Sequence, residues 1–268
     1  IWYCSAVVSF LLFLLLLGWT NHLANTQDAQ QMAGRWSEKK DVAQISCFFS
    51  SKAEVTEDTI QSFEYSLKNV LQEASITETS ENPSARLWVD AYSADGKITL
   101  VNGKNTLDAN AIGIGGDFFM FHPLKLITGA YFSGNDLMQD YCIIDQDAAW
   151  QLFGSNDVVG MTVYISNVPH IVTGVVQRPD SRMDKAPGLN STVVYVSYGT
   201  LSAYGTNNGI NHYEIVMPNP VDEFAYGKVK EGIGIDEKNV EIVENSRRYS
   251  LPNRIKTILA FGTRSMNG

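Results

Sequence analysis

The residues whose types could do chemistry are few, and their spacing argues against most of it. His22, His122, His170 and His212 are scattered along 268 residues. No His or Cys recurs at the short spacing that marks a zinc site, so each reads as a single surface or strand histidine. Asp136, Asp140, Asp145 and Asp147 would suit paired carboxylates or a calcium loop. Yet Asp145 and Asp147 straddle an expected helix start, where capping and the helix dipole already account for them, and the alternation and distal Glu of an EF-hand are absent. Gly113-Ile114-Gly115-Gly116 resembles the start of a dinucleotide fingerprint, but Phe118 stands where the third glycine is needed. There is no Walker A motif, no Ser in a G-x-S-x-G elbow, and no Cys beside a basic residue that would depress its pKa. The expectation is therefore no catalytic, cofactor-binding or metal residue, and no enzyme. Asn190-Ser191-Thr192 is a formal glycosylation sequon.

The elements around these residues are more legible. In Gly129 to Gln177, Tyr141 to Ile144 is an apolar β-rich run and Asp145 caps a helix over Gln146 to Phe153. Gly154 stands at its left-handed C-terminal cap. Strict alternation from Met161 to Ser166 predicts a half-buried strand, Asn167 to Pro169 a turn, and His170 to Gln177 a returning strand with a bulge or close approach at Gly174. Upstream, Val42 to Phe49 reads as a strand. Thr56 caps a helix whose stripe is Ile60, Phe63, Leu67, Val70, Leu71 and Ala74. Arg86 to Ser93 and Lys97 to Val101 flank Asp95-Gly96, a turn signal that predicts a hairpin. Downstream, Thr192 to Tyr198 and His212 to Met217 read as strands, followed by a helix over about Val221 to Glu231 and a strand at Val240 to Val243. Arg178 to Leu189 is expected to be an exposed loop.

A formal charge of −9 argues against nucleic acid, because a phosphate-binding surface needs clustered Lys and Arg. The first 27 residues contain no Asp, Glu, Lys or Arg, and Val7 to Leu17 is almost wholly aliphatic. A bilayer core of about 30 Å needs about 20 helical residues, so residues 1–22 read as a transmembrane helix with Trp2, Tyr3 and Trp19 at the interfaces. A cleaved signal peptide is the rival, although no small-residue cleavage site is obvious before Asn25. The Ala- and Gln-rich stretch 23–41 then reads as a stalk helix. Cys47 and Cys142 sit in apolar strand patterns and read as buried hydrophobes, with pairing in an oxidising compartment as the alternative.

The order of signals in Gly129 to Gln177 resembles the extracytoplasmic core domain of MacB-like ABC transporter permeases. Gly129, Tyr131, Phe132 and Asp136 match "G.YF...D", and Ile143, Ile144 and Asp145 the strand before the helix. Ala148, Leu152, Phe153 and Gly154 match "A..LFG"; Asp157, Gly160, Val163 and Ile165 match "D..G..V.I"; Val172, Gly174, Val175 and Val176 match "V.GVV". The resemblance implies an α+β fold of two β-α-β porter-like units, residues 42–110 and 200–246, interrupted by a β-rich insert, residues 111–199. A tail, 247–268, would lead toward a second membrane helix that this chain does not show. It further implies a cell-membrane location with the main domain outside, and motion driven by a separate cytoplasmic ATP-binding subunit. A second permease copy and the lipid bilayer would be partners, with neither cofactor nor nucleic acid. The alternative reading is an extracellular ligand-sensing domain of a membrane receptor; Trp88, Tyr92, Phe118, Phe119 and Phe121 could line its pocket, although core packing is the expected role for most of them.

Overall fold

A computed structural model describes residues 8, 11–16, 18–19, 30–37, 41–77, 86–178 and 192–248. Of residues 1–22, those described are helical, with Leu11, Leu15 and Trp19 exposed. Among the described residues no helix is long and apolar enough to cross a membrane. The loop expected after Arg178, Asn190 and Ser191 of the sequon, and residues 249–268 lie outside the described residues.

The stalk stretch departs from expectation. It forms a five-residue helix, α1 (Met32–Trp36), whose N-cap Gln31 is non-helical at φ −117° and ψ 16° and whose C-cap Ser37 is extended. Of the helix expected over 23–41, the described residues show only α1, bounded by Gln31 and Ser37, while residues 23–29 and 38–40 lie outside the described residues. Docking explains these bounds. Met32 is buried with Val89, Phe121 and Val216, its amide donates to Gln44 Oε1 at 2.9 Å, and Arg35 donates to the carbonyl of Met120 at 2.8 Å.

β1 (Val42–Phe49) shows period-2 alternation. Ala43, Ile45, Cys47 and Phe49 enter one core, while Gln44 and Ser46 point the other way and are also buried. α2 (Glu57–Glu73) starts after Thr56, whose amide donates to Thr59 Oγ1, and carries Glu57 and Asp58 in the first turn, where they suit the helix dipole. Its Ile60, Phe63, Leu67 and Leu71 form the buried stripe, each side chain worth roughly 1.5–3 kcal/mol on burial.

The next element corrects the sequence. β2 (Val89–Asn102) runs straight through Asp95-Gly96, and the hairpin turn lies at Gly103, φ +60°, before β3 (Asn105–Gly116). Gly96 serves a close approach instead of a turn: a Cβ there would lie 2.4 Å from the carbonyl oxygen of Thr206 and 2.8 Å from Leu201 Cδ1. Asp95 accepts a hydrogen bond from Asn211 Nδ2.

There follow α3 (Phe118–Phe121), β4 (Leu126–Gly129), β5 (Tyr141–Asp145), α4 (Gln146–Phe153), β6 (Thr162–Ile165), β7 (Val168–Val176) and β8 (Val193–Ser197). Then come α5 (Tyr198–Tyr204), β9 (Thr206–Asn207), β10 (His212–Pro218), α6 (Phe224–Gly232), β11 (Val240–Glu244) and α7 (Asn245–Arg248). Among the described residues, eleven strands join one sheet in the order β11-β1-β10-β2-β3-β8-β5-β7-β4, with β6 against β2 and β7 and β9 against β2. β10 lies antiparallel between β1 and β2, and β1 antiparallel between β10 and β11. The units β1-α2-β2 and β10-α6-β11 therefore interlock, each inserting a strand into the other. β2 and β3 carry the sheet onward to β8, β5 and β7, where β3 pairs with β8, and β5 with β7, in parallel. The register of β5 on β7 slips at Thr173, placing the bulge beside Gly174.

Two cores sandwich the sheet. One holds the stripe of α2, the buried residues of α4 and α6, and Cys47 and Cys142, which are free and fully buried. The other holds Met32, Phe118, Phe119, Phe121 and Phe132 against Val89, Ile114 and Val216.

Candidate functional site

Polar residues gather on the second face, where α1, α3 and α7 meet β1 and β10. Alternation puts Gln44 and Ser46 of β1 on this face, and His212 and Glu214 of β10 beside them, since Ser46 is opposite Glu214 and Phe48 opposite His212. His122 arrives at the C-cap of α3 and Asn245 at the start of α7. Glu214 is the centre, at 3% exposure. Ser46 Oγ donates to Glu214 Oε1 at 2.8 Å, Gln44 Nε2 reaches the same oxygen at 3.5 Å, and Asn245 Nδ2 donates to Ser46 Oγ at 2.7 Å. His122 Nε2 stands 2.5 Å from Glu214 Oε2, and His212 Nε2 3.8 Å from Glu214 Oε1.

The electrostatics follow from burial and neighbours. Burial pushes the Glu214 carboxyl up, but the hydrogen bond and charge of His122, with the charge of His212 and the Ser46 hydroxyl, outweigh it and hold the carboxyl below its usual range. Burial lowers the His212 imidazole, opposed by the charge of Glu214 and reinforced by that of His122. Among the described residues, His122, His212 and Glu214 are the group whose ligand atoms all lie within 4.8 Å of one another.

Both segments flanking the domain dock here. The amide of Met32 donates to the Gln44 side chain, and the amide of Gln44 donates to Ser246 Oγ at 2.7 Å. One residue of β1 thus holds the chain that enters the sheet and the chain that leaves it.

The other residues singled out by sequence go elsewhere. His170 is buried, its Nδ1 3.0 Å from the carbonyl oxygen of Val168 and its Nε2 3.2 Å from Thr200 Oγ1. His22 lies outside the described residues. Asp145 caps α4 by accepting from the amide of Ala148 at 2.7 Å and also accepts from that of Val193 at 2.9 Å, while Asp147 pairs with Arg178. Asp136 caps a turn at Ser133. The glycines of 113–116 sit in β3, where a Cβ on Gly115 would lie 1.9 Å from the ring of Tyr92, so they fit packing and not a phosphate. Of the aromatics proposed to line a receptor pocket, Tyr92, Phe118, Phe119 and Phe121 are buried in the cores, whereas Trp88 lines a cleft of about 540 Å³ with Lys68, Arg86 and Asp90.

Spacing could not have found the central cluster, because its members come from positions 44, 46, 122, 212, 214 and 245. The available signal was polar alternation in two strands, which says only that these residues face away from the helix layer.

The model of the MacB-like periplasmic core domain matches residues 9–242 of the chain. The chain belongs to that family. Among curated relatives, the macrolide export ATP-binding/permease protein MacB of Chromobacterium violaceum is 31% identical over 99 residues, 36% of this chain and 15% of that protein. MacB of Pasteurella multocida is 29% identical over 98 residues, covering 36% and 14%. The matched stretch thus spans about a seventh of those relatives' length. Among solved structures, the periplasmic region of MacB from Actinobacillus actinomycetemcomitans superposes with a TM-score of 0.47 at 18% identity, covering 81% of this chain and 92% of that one. The extracellular domain of the noncanonic ABC-type transporter YknZ gives 0.46 at 17% identity, covering 75% and 99%.

Proposed function

We propose that this MacB-like periplasmic core domain is the extracytoplasmic part of an ABC transporter permease. It passes motion driven by a cytoplasmic ATP-binding subunit to export or to extracytoplasmic partners, and it has no catalytic step of its own. The chain is anchored through residues 1–22, pairs with a second permease copy, and takes no cofactor in this role. The observation that carries this reading is the shared seat at Gln44. A displacement arriving along either flanking segment reaches the same strand at the middle of the β11-β1-β10 sheet, through hydrogen bonds to α1 on one side and α7 on the other. A lever needs both arms fixed to one body, and this arrangement fixes them.

The test is paired ATPase and export rates of the whole transporter in reconstituted membranes. Gln44→Ala and Met32→Ala loosen the seat and are expected to leave ATP hydrolysis running while export falls; Tyr65→Ala, on the exposed face of α2, is expected to change neither. Normal export per ATP in both seat variants would show that the segments are tethers.

A further inference from the structure

We propose that His122, His212 and Glu214 bind one divalent transition-metal ion, with zinc the best fit. This goes beyond the transport reading and does not depend on it. The set has the composition of a two-imidazole, one-carboxylate zinc site, in which a further position stays open to water or a ligand. Its ligand atoms lie within 4.8 Å of one another. Zinc bonds of about 2.0–2.2 Å at tetrahedral angles place ligand atoms about 3.3–3.6 Å apart, so side-chain torsions would open the 2.5 Å His122–Glu214 pair and draw His212 in around an ion.

Two independent observations point to a ligand. First, His212 Nε2 is buried and lacks a hydrogen-bond partner, although it lies only 3.8 Å from the carboxylate. A buried polar atom left unmatched is destabilising by roughly 1–3 kcal/mol, and a cation between His212 and Glu214 would satisfy it. Second, outer contacts restrict all three groups, and the carboxylate is itself hydrogen-bonded, as ligating carboxylates are. Ser46 donates to Glu214 Oε1 and is itself held by Asn245; Phe48 stacks on His212 with ring centroids 4.6 Å apart; Phe118 lies 4.6 Å from His122. The competing occupant is a proton shared between His122 and Glu214, which would account for their 2.5 Å approach but leaves His212 unmatched.

The experiment uses the full chain in detergent, purified without a polyhistidine tag and stripped with chelator. Titration with Co²⁺ followed by visible absorption, then displacement by Zn²⁺, is expected to show one saturable equivalent with d–d bands of low coordination number. Glu214→Gln, His212→Asn and His122→Asn are each expected to weaken Co²⁺ binding about tenfold or more, whereas His170→Asn retains it. Melting curves check that each variant is folded; if Glu214→Gln is not, the two His→Asn variants, at partly exposed positions, decide. No saturable binding, or binding unchanged in folded His122→Asn and His212→Asn, would overturn the proposal and leave the shared proton as the occupant.

Discussion

Glu64 of α2 meets Asp90 of β2 beside Glu57, with Tyr92 donating to Glu57 at 2.5 Å, Tyr213 donating to Asp90 at 2.9 Å, and Arg86 and Asp117 close to Asp90. Burial first, then the charge of Asp90 and its hydrogen bond, and then Glu57, push the Glu64 carboxyl up from 4.5 to about 8, and burial raises Asp90 as well. A raised carboxyl pKa means that the folded state holds a proton which the unfolded chain releases. Stability from this pair is therefore full below about 4.5 and is lost as pH rises toward about 8. Glu64→Gln keeps a neutral hydrogen-bonding group at every pH, so the variant is expected to melt progressively higher than the parent between pH 5 and pH 8. Melting temperatures of the two proteins across that range, showing a constant difference, would refute the assignment. A second residue-scale consequence concerns Gly115, whose missing Cβ leaves room for the ring of Tyr92. Gly115→Ala is expected to destabilise by about 1–3 kcal/mol in denaturant melts, because both partners lie in paired strands and neither can withdraw cheaply.

At the scale of elements, α4 shows how far local rules reach. Asp145 accepts from the amide of Ala148, Gly154 closes the helix at φ +73°, and Ala148, Ala149 and Leu152 are buried, all as the residue types require. Leu152→Ala is expected to destabilise by roughly 2–5 kcal/mol, since the side chain is 1% exposed in the helix-side core. An unchanged urea midpoint would mean that the core refills around the gap. Local rules failed at β2. Asp95-Gly96 and Asn102-Gly103 carry equally strong turn signals, and only the second is used, because Gly96 is constrained by Thr206 and Leu201, which are distant in sequence. They also failed at the stalk, where Met32 and Arg35 find partners on β1 and α3 that no helical periodicity encodes. The polar cluster around Glu214 was illegible for the same reason. Its contacts close across 92 residues between His122 and Glu214 and 168 between Ser46 and Glu214, and each residue alone looks like an ordinary strand or loop position.

For the whole molecule, the sequence invites a division into a two-part unit, 42–110 with 200–246, and an insert, 111–199, and the sheet bears on how independent these would be. β2 and β3, paired along twelve positions from Ala91↔Gly116 to Asn102↔Asn105, run from the β1–β10 side to the β8–β5–β7 side without interruption. The helix-side core is likewise continuous, joining Phe63, Leu67 and Tyr213 to Ile144, Leu152 and Val172. Separate domains would show separate cores and a boundary crossed by few contacts. Here, loss of the β5–β7 strands would expose Leu100 and Ala109 of the hairpin on which the β1–β10 side also depends. Unfolding is therefore expected to be a single transition. Trp88 reports the start of β2 and Trp150 the outer face of α4, so variants keeping only one or the other tryptophan read the two sides separately. Their urea midpoints and slopes should coincide with each other and with circular dichroism. A lower midpoint for the Trp150 signal would show that the insert melts by itself, and a force entering at Gln44 would then be absorbed by the insert before reaching the far end of the sheet.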